Sequence, residues 1–183
     1  MSTERSEVIL PTHRAKKSIM SNTKIAVFQG SFDPFTRGHE SIVQRALTIF
    51  DQVVVLVVHN SLKQGYFDVD TRVSIIEDTF SNEPRVRVMA SDGLTVNVAK
   101  QVGACCFVRG VRTVQDYEYE MSIAEVNLKF SGIETLLLYT LPEFSHISST
   151  IVREWLKYGK DMTEYLPQGL SPHMLAQVLS KRR

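Results

Sequence analysis

The sequence predicts an α/β fold with a five-stranded, doubly wound parallel sheet and additional C-terminal helices. Five short runs of aliphatic residues alternate with segments whose apolar spacing is helical, which is the pattern of repeated strand–helix units. The run Gln52–Val58 is apolar almost throughout, as expected for a strand that is buried on both faces. A chain of 183 residues, 43% of them hydrophobic, can build one sizeable core. We therefore expect a single domain over residues 23–183.

The first half of the chain contains three of the predicted strands. Gly30 ends the first strand, and the helix that follows places Ile42, Val43 and Ala46 on one face. The third strand alternates charged and apolar residues, which is typical of a strand near the edge of a sheet. The predicted elements are strand 24–29, helix 38–50, strand 52–58, helix 70–80 and strand 85–90.

The second half continues the alternation and ends in shorter helices. The predicted elements are helix 94–102, strand 105–108, helix 114–130, strand 134–140 and helices 148–158, 162–165 and 171–180. Right-handed crossovers would bring the loops after strands one, two, four and five to the carboxyl edge of this Rossmann-like sheet, where ligands bind. The sequence contains neither a GxGxxG motif nor a Walker loop, so it indicates neither a dinucleotide oxidoreductase nor a P-loop enzyme.

Charge and cysteine content narrow the functional class. The formal net charge is +1, so no global field attracts nucleic acid or membrane, and affinity for phosphate must come from local clusters. Cys105 and Cys106 are adjacent within an apolar run and lack metal-ligand spacing, which favours two core or near-core thiols in a reducing cytosol. No run approaches the roughly 20 apolar residues of a membrane span. We therefore expect a cytoplasmic protein.

The N-terminal segment, residues 1–22, is polar and lacks the apolar centre of a secretory signal. We expect a disordered extension. Two alternatives stay open: Met20 is the true start, or the apolar patch at residues 8–10 packs on the domain.

The loop after strand one, residues 30–39, has the chemistry of a phosphate site. Gly30 permits a tight turn and close approach of a ligand, and Ser31 offers a hydroxyl and an N–H group. Asp33 with Pro34 favours a turn. His39 lies in the first turn of the next helix, where free N–H groups and the helix dipole favour an anion. An isolated Gly-His pair would favour a capped turn with a structural histidine, but here it closes a longer pattern.

The residues Ser31-Phe32-Asp33-Pro34 and Thr36-x-Gly38-His39 resemble the (H/T)xGH signature of the nucleotidyltransferase superfamily. Within it, the chain is similar to the bacterial phosphopantetheine adenylyltransferases from about residue 24 to beyond residue 166. The stretches RGVR (109–112), DYEYE (116–120) and ISST (147–150) carry the resemblance further.

The resemblance implies a role for each matching position. His39, Lys63 and Arg109 are expected to be catalytic. The acceptor is expected to contact Ser31, Lys63, Thr95 and Arg109. The residues expected to bind ATP are Ser31, Phe32, His39, Gly110, Val111, Arg112, Glu120, Phe144, Ser145, His146, Ile147, Ser148, Ser149 and Thr150. Without the resemblance, Lys63, Glu118 and Glu120 would be solvated residues, and Thr95 simply a helix start. The roles of His59 and His146 stay open.

The implied reaction is adenylyl transfer from ATP to 4′-phosphopantetheine, giving dephospho-coenzyme A (dephospho-CoA) and pyrophosphate, by in-line attack without a covalent intermediate. Mg²⁺ is expected to arrive on ATP with no protein ligand, and Asp33 could assist it only through water. The family also implies a homohexamer and binding of coenzyme A. Three rival interpretations are a nicotinamide mononucleotide adenylyltransferase, a nucleotide-binding regulator without catalysis and an RNA-binding module. The near-neutral charge opposes the last.

Overall fold

The structure is a computed structural model that describes residues 23–60 and 64–181. The N-terminal extension, residues 1–22, therefore lies outside the described residues, and so does Lys63. Within the described ranges, no helix is long and apolar enough to cross a membrane.

A five-stranded parallel sheet forms the centre of the domain. Its strands are β1 (Ile25–Gly30), β2 (Gln52–Val58), β3 (Val86–Ser91), β4 (Cys106–Val111) and β5 (Glu134–Tyr139). They lie in the order β3-β2-β1-β4-β5, and every pair is parallel. The chain thus winds outward from β1 in both directions, which confirms the predicted fold. The alternating strand β3 lies at an edge, as its sequence indicated.

Helices cover both faces of the sheet. They are α1 (Arg37–Ala46), α2 (Val69–Thr79), α3 (Thr95–Val102), α4 (Val114–Ser131), α5 (Ser149–Lys157) and α6 (Pro172–Ser180). Ala26 and Phe28 of β1 face one core, which includes Ile42 of α1. Val27, between them, faces a second core with Val98 of α3. Strand β1 therefore separates an α1 side from an α3 side.

Several boundaries differ from the prediction. Strand β4 extends three residues further than expected, to Val111, so Arg109 and Gly110 belong to the strand and not to the following loop. The predicted helix 162–165 is a 3₁₀ turn, Thr163–Tyr165, and a second such turn, Pro142–Phe144, was not predicted. Cys105 is exposed and Cys106 only half-buried, so the expected core position of Cys105 is wrong.

Acidic side chains of α1 and α2 accept hydrogen bonds from the C-terminal segment. Glu40 of α1 is buried and accepts hydrogen bonds from the N–H groups of Gln168, at 2.8 Å, and Gly169, at 3.2 Å. Asp78 of α2 accepts one from the N–H of Ser171 at 2.7 Å. The segment before α6 is therefore hydrogen-bonded to both α1 and α2, the helices that precede and follow β2 in the chain.

Candidate active site

A cleft of about 350 Å³ opens at the carboxyl edge of the sheet, above β1 and β4. Three separate parts of the chain line it: the loop after β1, the end of β4 with the start of α4, and the segment leading into α5. Most of the residues predicted from sequence lie here: Ser31, Phe32, His39, Arg109, Gly110, Arg112, Glu120, Phe144, Ile147, Ser148, Ser149 and Thr150. The expected convergence of distant motifs is therefore present.

The remaining predicted residues lie elsewhere. Val111 is buried and does not line the cleft, and Thr95 lines a different pocket. Ser145 is exposed and its hydroxyl donates to the carbonyl of Pro142 at 2.8 Å. The ring of His146 packs edge-on against Tyr165, with 5.5 Å between the ring centroids, so neither Ser145 nor His146 lines the ATP cleft. Lys63 is outside the described residues.

The loop after β1 is shaped around the ring of Phe32. This residue has a φ of 44°, a left-handed conformation that is uncommon for a non-glycine residue. A Cβ atom on Gly30 would lie 2.8 Å from Cε1 of Phe32, so only glycine fits beside the ring. The Phe32 ring also lies edge-on to His39, with 5.1 Å between centroids. The loop conformation and the position of the histidine are therefore coupled.

Asp33 has a structural role in this loop. Its carboxylate is buried and accepts hydrogen bonds from the N–H groups of Tyr66 and Phe67, each at 2.8 Å. Nε of Arg72 lies 3.6 Å from Oδ1 of Asp33. The same guanidinium donates to the carbonyls of Phe67, at 2.8 Å, and Ser31, at 3.2 Å. The suggestion that Asp33 could serve a metal through water is therefore not supported, because its oxygens hold the β2–α2 connection against the loop.

His39 is the third residue of α1, and its environment defines its protonation. Nδ1 accepts a hydrogen bond from the N–H of Thr36 at 3.0 Å, and the Thr36 hydroxyl lies 3.0 Å from the same atom. Burial, together with the positive charges of Arg112 and Arg109, lowers the pKa of His39 to about 3. The ring is therefore neutral at physiological pH and carries its proton on Nε2. It can donate one hydrogen bond to an anion without being an imidazolium.

Arg109 and Glu120 form an ion pair at the floor of the cleft. The guanidinium donates from Nε and Nη2 to the two carboxylate oxygens of Glu120, at 2.6 and 2.5 Å, and from Nη1 to the carbonyl of Gln29. Glu120 is buried, whereas Glu118 on the same helix is exposed. Without the family resemblance, Glu120 would be expected to be a solvated helix residue, and the structure corrects that interpretation. The carboxylate orients the guanidinium toward the cleft.

Arg112 lies at the upper edge of the cleft, where α4 begins. Its backbone N–H and its Nε both donate to the carboxylate of Asp116, at 3.1 and 3.0 Å. Partial burial disfavours the Asp116 carboxylate, but hydrogen bonds and the charge of Arg112 outweigh it and lower the pKa of Asp116. Nη1 of Arg112 also donates to the carbonyl of Ile147 at 3.3 Å. Arg112 therefore connects the β4–α4 turn to the segment before α5.

The N-terminus of α5 is hydrogen-bonded to the loop after β1. Ser148 caps the helix by accepting from the N–H of Ile151 at 3.2 Å. The hydroxyl of Ser149 instead donates to the carbonyl of Pro34 at 2.7 Å. Nη1 of Arg153 donates to the carbonyl of Asp33 at 2.6 Å, and its Nη2 to the hydroxyl of Thr150 at 3.1 Å. Arg153 was not predicted from the sequence, although its position three residues after Thr150 places both on one helical face.

Comparison with known proteins identifies the family. A family model described as Cytidylyltransferase-like matches residues 27–155. The phosphopantetheine adenylyltransferase of Phocaeicola vulgatus is 52% identical over 145 residues, which are 79% of this chain and 96% of that protein. Those of Bacteroides thetaiotaomicron and Porphyromonas gingivalis are 48% and 43% identical over the same length, covering 96% and 95% of those proteins. The chain belongs to the phosphopantetheine adenylyltransferase family.

Membership of this family confirms the resemblance and the predicted class of enzyme, a nucleotidyltransferase. It also confirms the expected activity, because the family makes dephospho-CoA from ATP and pantetheine phosphate. A regulator without catalysis and an RNA-binding module are thereby set aside.

Solved structures with the same fold include adenylyltransferases that act on nicotinamide or nicotinate nucleotides, the first of the rival interpretations. A putative nicotinate-nucleotide adenylyltransferase from Vibrio parahaemolyticus has a TM-score of 0.60 at 22% identity, covering 86% of this chain and 99% of that one. A bifunctional NMN adenylyltransferase/ADP ribose pyrophosphatase from Francisella tularensis, complexed with AMP and Mn ion, has a TM-score of 0.64 at 17% identity, covering 85% of this chain and 48% of that one. Identities this low show a shared fold only, so the family assignment follows the sequence relatives.

A second pocket in this phosphopantetheine adenylyltransferase family member contains Thr95. It measures about 370 Å³ and lies between α3 and α4. Its lining residues are Leu94, Thr95, Val96, Asn97, Lys100, Val126, Asn127 and Phe130. Asn127 is buried and lies seven residues after Glu120 on α4, so both side chains point to the same face, about 10 Å apart along the helix axis.

Metal ligands are scarce around the cleft. Over residues 23–60 and 64–181, no group of three or more His, Cys, Asp or Glu side chains could hold a metal ion. The two cleft carboxylates, Asp116 and Glu120, each bond to an arginine. A divalent cation at this site would thus take most of its oxygen ligands from a bound phosphate chain and from water.

Proposed function

We propose that the chain transfers the adenylyl group of ATP to 4′-phosphopantetheine by direct in-line attack, with His39 at the point of transfer. The observation that carries the mechanism is the neutral His39 ring, whose Nε2–H is left for a ligand because Thr36 occupies Nδ1. The N-termini of α1 and α5 and two arginines line the same cleft. Together they form a site for a polyphosphate.

In the proposed reaction, a phosphate oxygen of the acceptor attacks the α-phosphorus of ATP. A new P–O bond forms, the bond to the α–β bridging oxygen breaks, and pyrophosphate leaves with that electron pair. A phosphate dianion is already a competent nucleophile, so no general base is needed. Positioning and electrostatic stabilisation would supply most of the acceleration.

The ATP phosphates are assigned to the two helix N-termini. Nε2–H of His39 would donate to the α-phosphate, where charge grows in the transition state. Arg112 and the start of α5 would hold the β- and γ-phosphates. The hydroxyl of Ser149 already donates to the carbonyl of Pro34. The hydroxyl of Ser148 only accepts, from the N–H of Ile151, so its proton is left for a phosphate oxygen, and main-chain N–H groups of this turn would supply the other donors.

The acceptor is assigned to the opposite side of the cleft. Arg109, oriented by Glu120, would bind the acceptor phosphate with Lys63 and Ser31. The pantetheine arm would then extend along α4 into the pocket that contains Thr95. On this path the arm would run beside the stretch of α4 between Glu120 and Asn127, which is about 10 Å long.

Mg²⁺ is proposed to enter with ATP. It would neutralise charge on the β- and γ-phosphates as pyrophosphate leaves. Asp116 and Glu120 are carboxylates of the kind that can bind Mg²⁺. Each is paired with an arginine, so we assign them to orienting the guanidinium groups and not to binding the metal ion.

We also propose self-association and a cytoplasmic location. Helix α4 has 18 residues, of which only Glu120 and Asn127 are buried. Its large exposed apolar side chains are Val114, Tyr117, Tyr119, Met121, Val126, Leu128 and Phe130, and such a surface supports packing against further copies. A homohexamer, expected from the family resemblance, would give a sixfold mass in light scattering. Free thiols at Cys105 and Cys106 suit a reducing compartment.

The decisive experiment is a pyrophosphate-release assay with ATP and Mg²⁺, run separately with 4′-phosphopantetheine, with nicotinamide mononucleotide and with no acceptor. We expect release only with phosphopantetheine, and dephospho-CoA by mass spectrometry. Release with nicotinamide mononucleotide alone would contradict the proposed acceptor. Exchange of labelled pyrophosphate into ATP without any acceptor would contradict direct attack, because it requires a covalent adenylyl-enzyme.

A further inference from the structure

Gln29 lies in the wall of the cleft, and its side-chain oxygen forms no hydrogen bond with the described part of the chain. The residue is 8% exposed and lines the cleft beside Arg109 and Glu120. Its Oε1 is buried and has no hydrogen-bond partner among the described residues. A buried acceptor left unpaired is destabilising, and native proteins contain few of them. An acceptor of this kind in the wall of a ligand cleft indicates a donor on the ligand.

The direction of the side chain follows from the strand. Successive residues of β1 point to opposite faces of the sheet. Phe28 packs in the core on the α1 side, and Val27 in the core with Val98 of α3. Gln29 therefore points to the same side as Val27, toward α3 and α4. Its own carbonyl accepts from Nη1 of Arg109, which places the residue directly next to the proposed acceptor-phosphate site.

This side of the cleft is where the pantetheine arm would leave the phosphate. The polyphosphate of ATP has no donor groups and is assigned to the α1 and α5 side, whereas the donors of its ribose and adenine are distinguished below through the KM for ATP. The arm of 4′-phosphopantetheine carries one hydroxyl and two amide N–H groups, all of them hydrogen-bond donors. On the proposed path from Arg109 to the Thr95 pocket, the arm passes the wall of the cleft that faces α3, to which Gln29 belongs.

We propose that Oε1 of Gln29 accepts a hydrogen bond from a hydroxyl or amide N–H of the pantetheine arm and so helps to select the acceptor. The inference deepens the proposed function and depends on it. Gln29 is then a specificity residue that the protein leaves unpaired until the acceptor binds. A site with a polar group reserved for a substrate donor discriminates against analogues that lack that donor.

The test is Gln29→Met, which keeps the length of the side chain and removes the acceptor atom. We expect the KM for phosphopantetheine to rise about 5- to 30-fold, as for loss of one buried hydrogen bond, with the KM for ATP within twofold and kcat nearly unchanged. The thermal midpoint of the substrate-free protein should stay the same or rise, because an unpaired buried polar group has been removed. Gln44→Met, on an exposed position of α1, is the matched control.

A second measurement uses a simple alkyl phosphate, which has no donor groups, as the acceptor. Wild type and Gln29→Met should use it equally poorly, because the contact to Gln29 is absent for both. Gln29→Leu serves the same comparisons if the methionine variant is insoluble.

Three results would overturn the inference. An unchanged KM for phosphopantetheine would show that no such bond exists. A rise in the KM for ATP instead would assign the donor to the nucleotide. A lower thermal midpoint with both KM values raised would show a structural glutamine. If the wild-type protein itself made no dephospho-CoA, the proposed function would fail first, and the two failures are therefore distinguishable.

Discussion

Nδ1 of His39 accepts a hydrogen bond from the backbone N–H of Thr36 at 3.0 Å. The bond closes the first turn of α1 and leaves Nε2 as the protonated nitrogen of the neutral ring. The same contact therefore caps a helix and selects a tautomer. The proposed chemistry depends on this, because only an Nε2–H can donate to a phosphate in the cleft.

Replacing His39 by alanine should lower kcat by about two to three decades while leaving ATP affinity nearly intact. A donor used mainly in the transition state has this kinetic signature. Single-turnover rates and ATP titrations of the two proteins measure it. His146→Ala removes an exposed imidazole outside the cleft and should retain wild-type kcat. A near-normal kcat for His39→Ala would remove the histidine from the mechanism.

The protonation of His39 is directly observable. Its pKa is lowered from 6.5 to about 3, so the folded protein should show a neutral Nε2–H ring from pH 8 down to about pH 5 in nitrogen-15 NMR. Between about pH 6.5 and 3, an unfolded chain binds a proton that the folded one does not, so this residue's contribution to stability is lost as the pH falls through that window. Detection of an Nδ1–H tautomer, or a midpoint near 6.5, would contradict the structure.

Glu120→Gln should weaken binding of the acceptor, although Arg109 itself is still present. A neutral amide cannot accept both hydrogen bonds of the guanidinium, so the free energy of unfolding should fall by about 1–3 kcal/mol, and the KM for phosphopantetheine should rise about tenfold. Chemical denaturation and steady-state kinetics report the two effects. Glu118→Gln changes an exposed carboxylate two residues away, and equal effects of the two substitutions would argue against a specific Arg109–Glu120 pair.

Asp33→Ala should be one of the more destabilising substitutions in the domain. It removes two hydrogen bonds to the N–H groups of Tyr66 and Phe67 and leaves the buried Arg72 without its carboxylate, a loss of about 3–5 kcal/mol. The comparison is Asp68→Ala, which removes only the N-cap of α2 and should cost about 1 kcal/mol. Thermal unfolding of both variants measures the difference. A smaller loss for Asp33 than for Asp68 would refute the assigned role.

The sequence predicted the order of the elements and the convergence of the loops because both follow from local patterns. Strand β2 was predicted to the residue, since an uninterrupted aliphatic run admits few other structures. The resemblance to a family then selected the cleft residues one by one, including Glu120, whose position on a helix with little apolar periodicity gives no hint of burial.

What the sequence could not predict depends on contacts between distant positions. The partners of Asp33 lie 33 and 34 residues away, and no periodicity connects them. The end of β4 was placed too early, because Arg109 and Gly110 resemble a turn until a neighbouring strand pairs with them. The tautomer of His39 and the unpaired Oε1 of Gln29 are three-dimensional properties, with no sequence signature at all.

The bonds from Ser149 to Pro34 and from Arg153 to Asp33 join the starts of α1 and α5 through a single turn. The distance between the two anion-binding ends is thereby built into the folded chain before any nucleotide arrives. An incoming polyphosphate meets a receptor of set width, and the protein loses little conformational entropy in accommodating it. The affinity of the site for different nucleotides would then depend on the length of their phosphate chain, and not on closure of a loop.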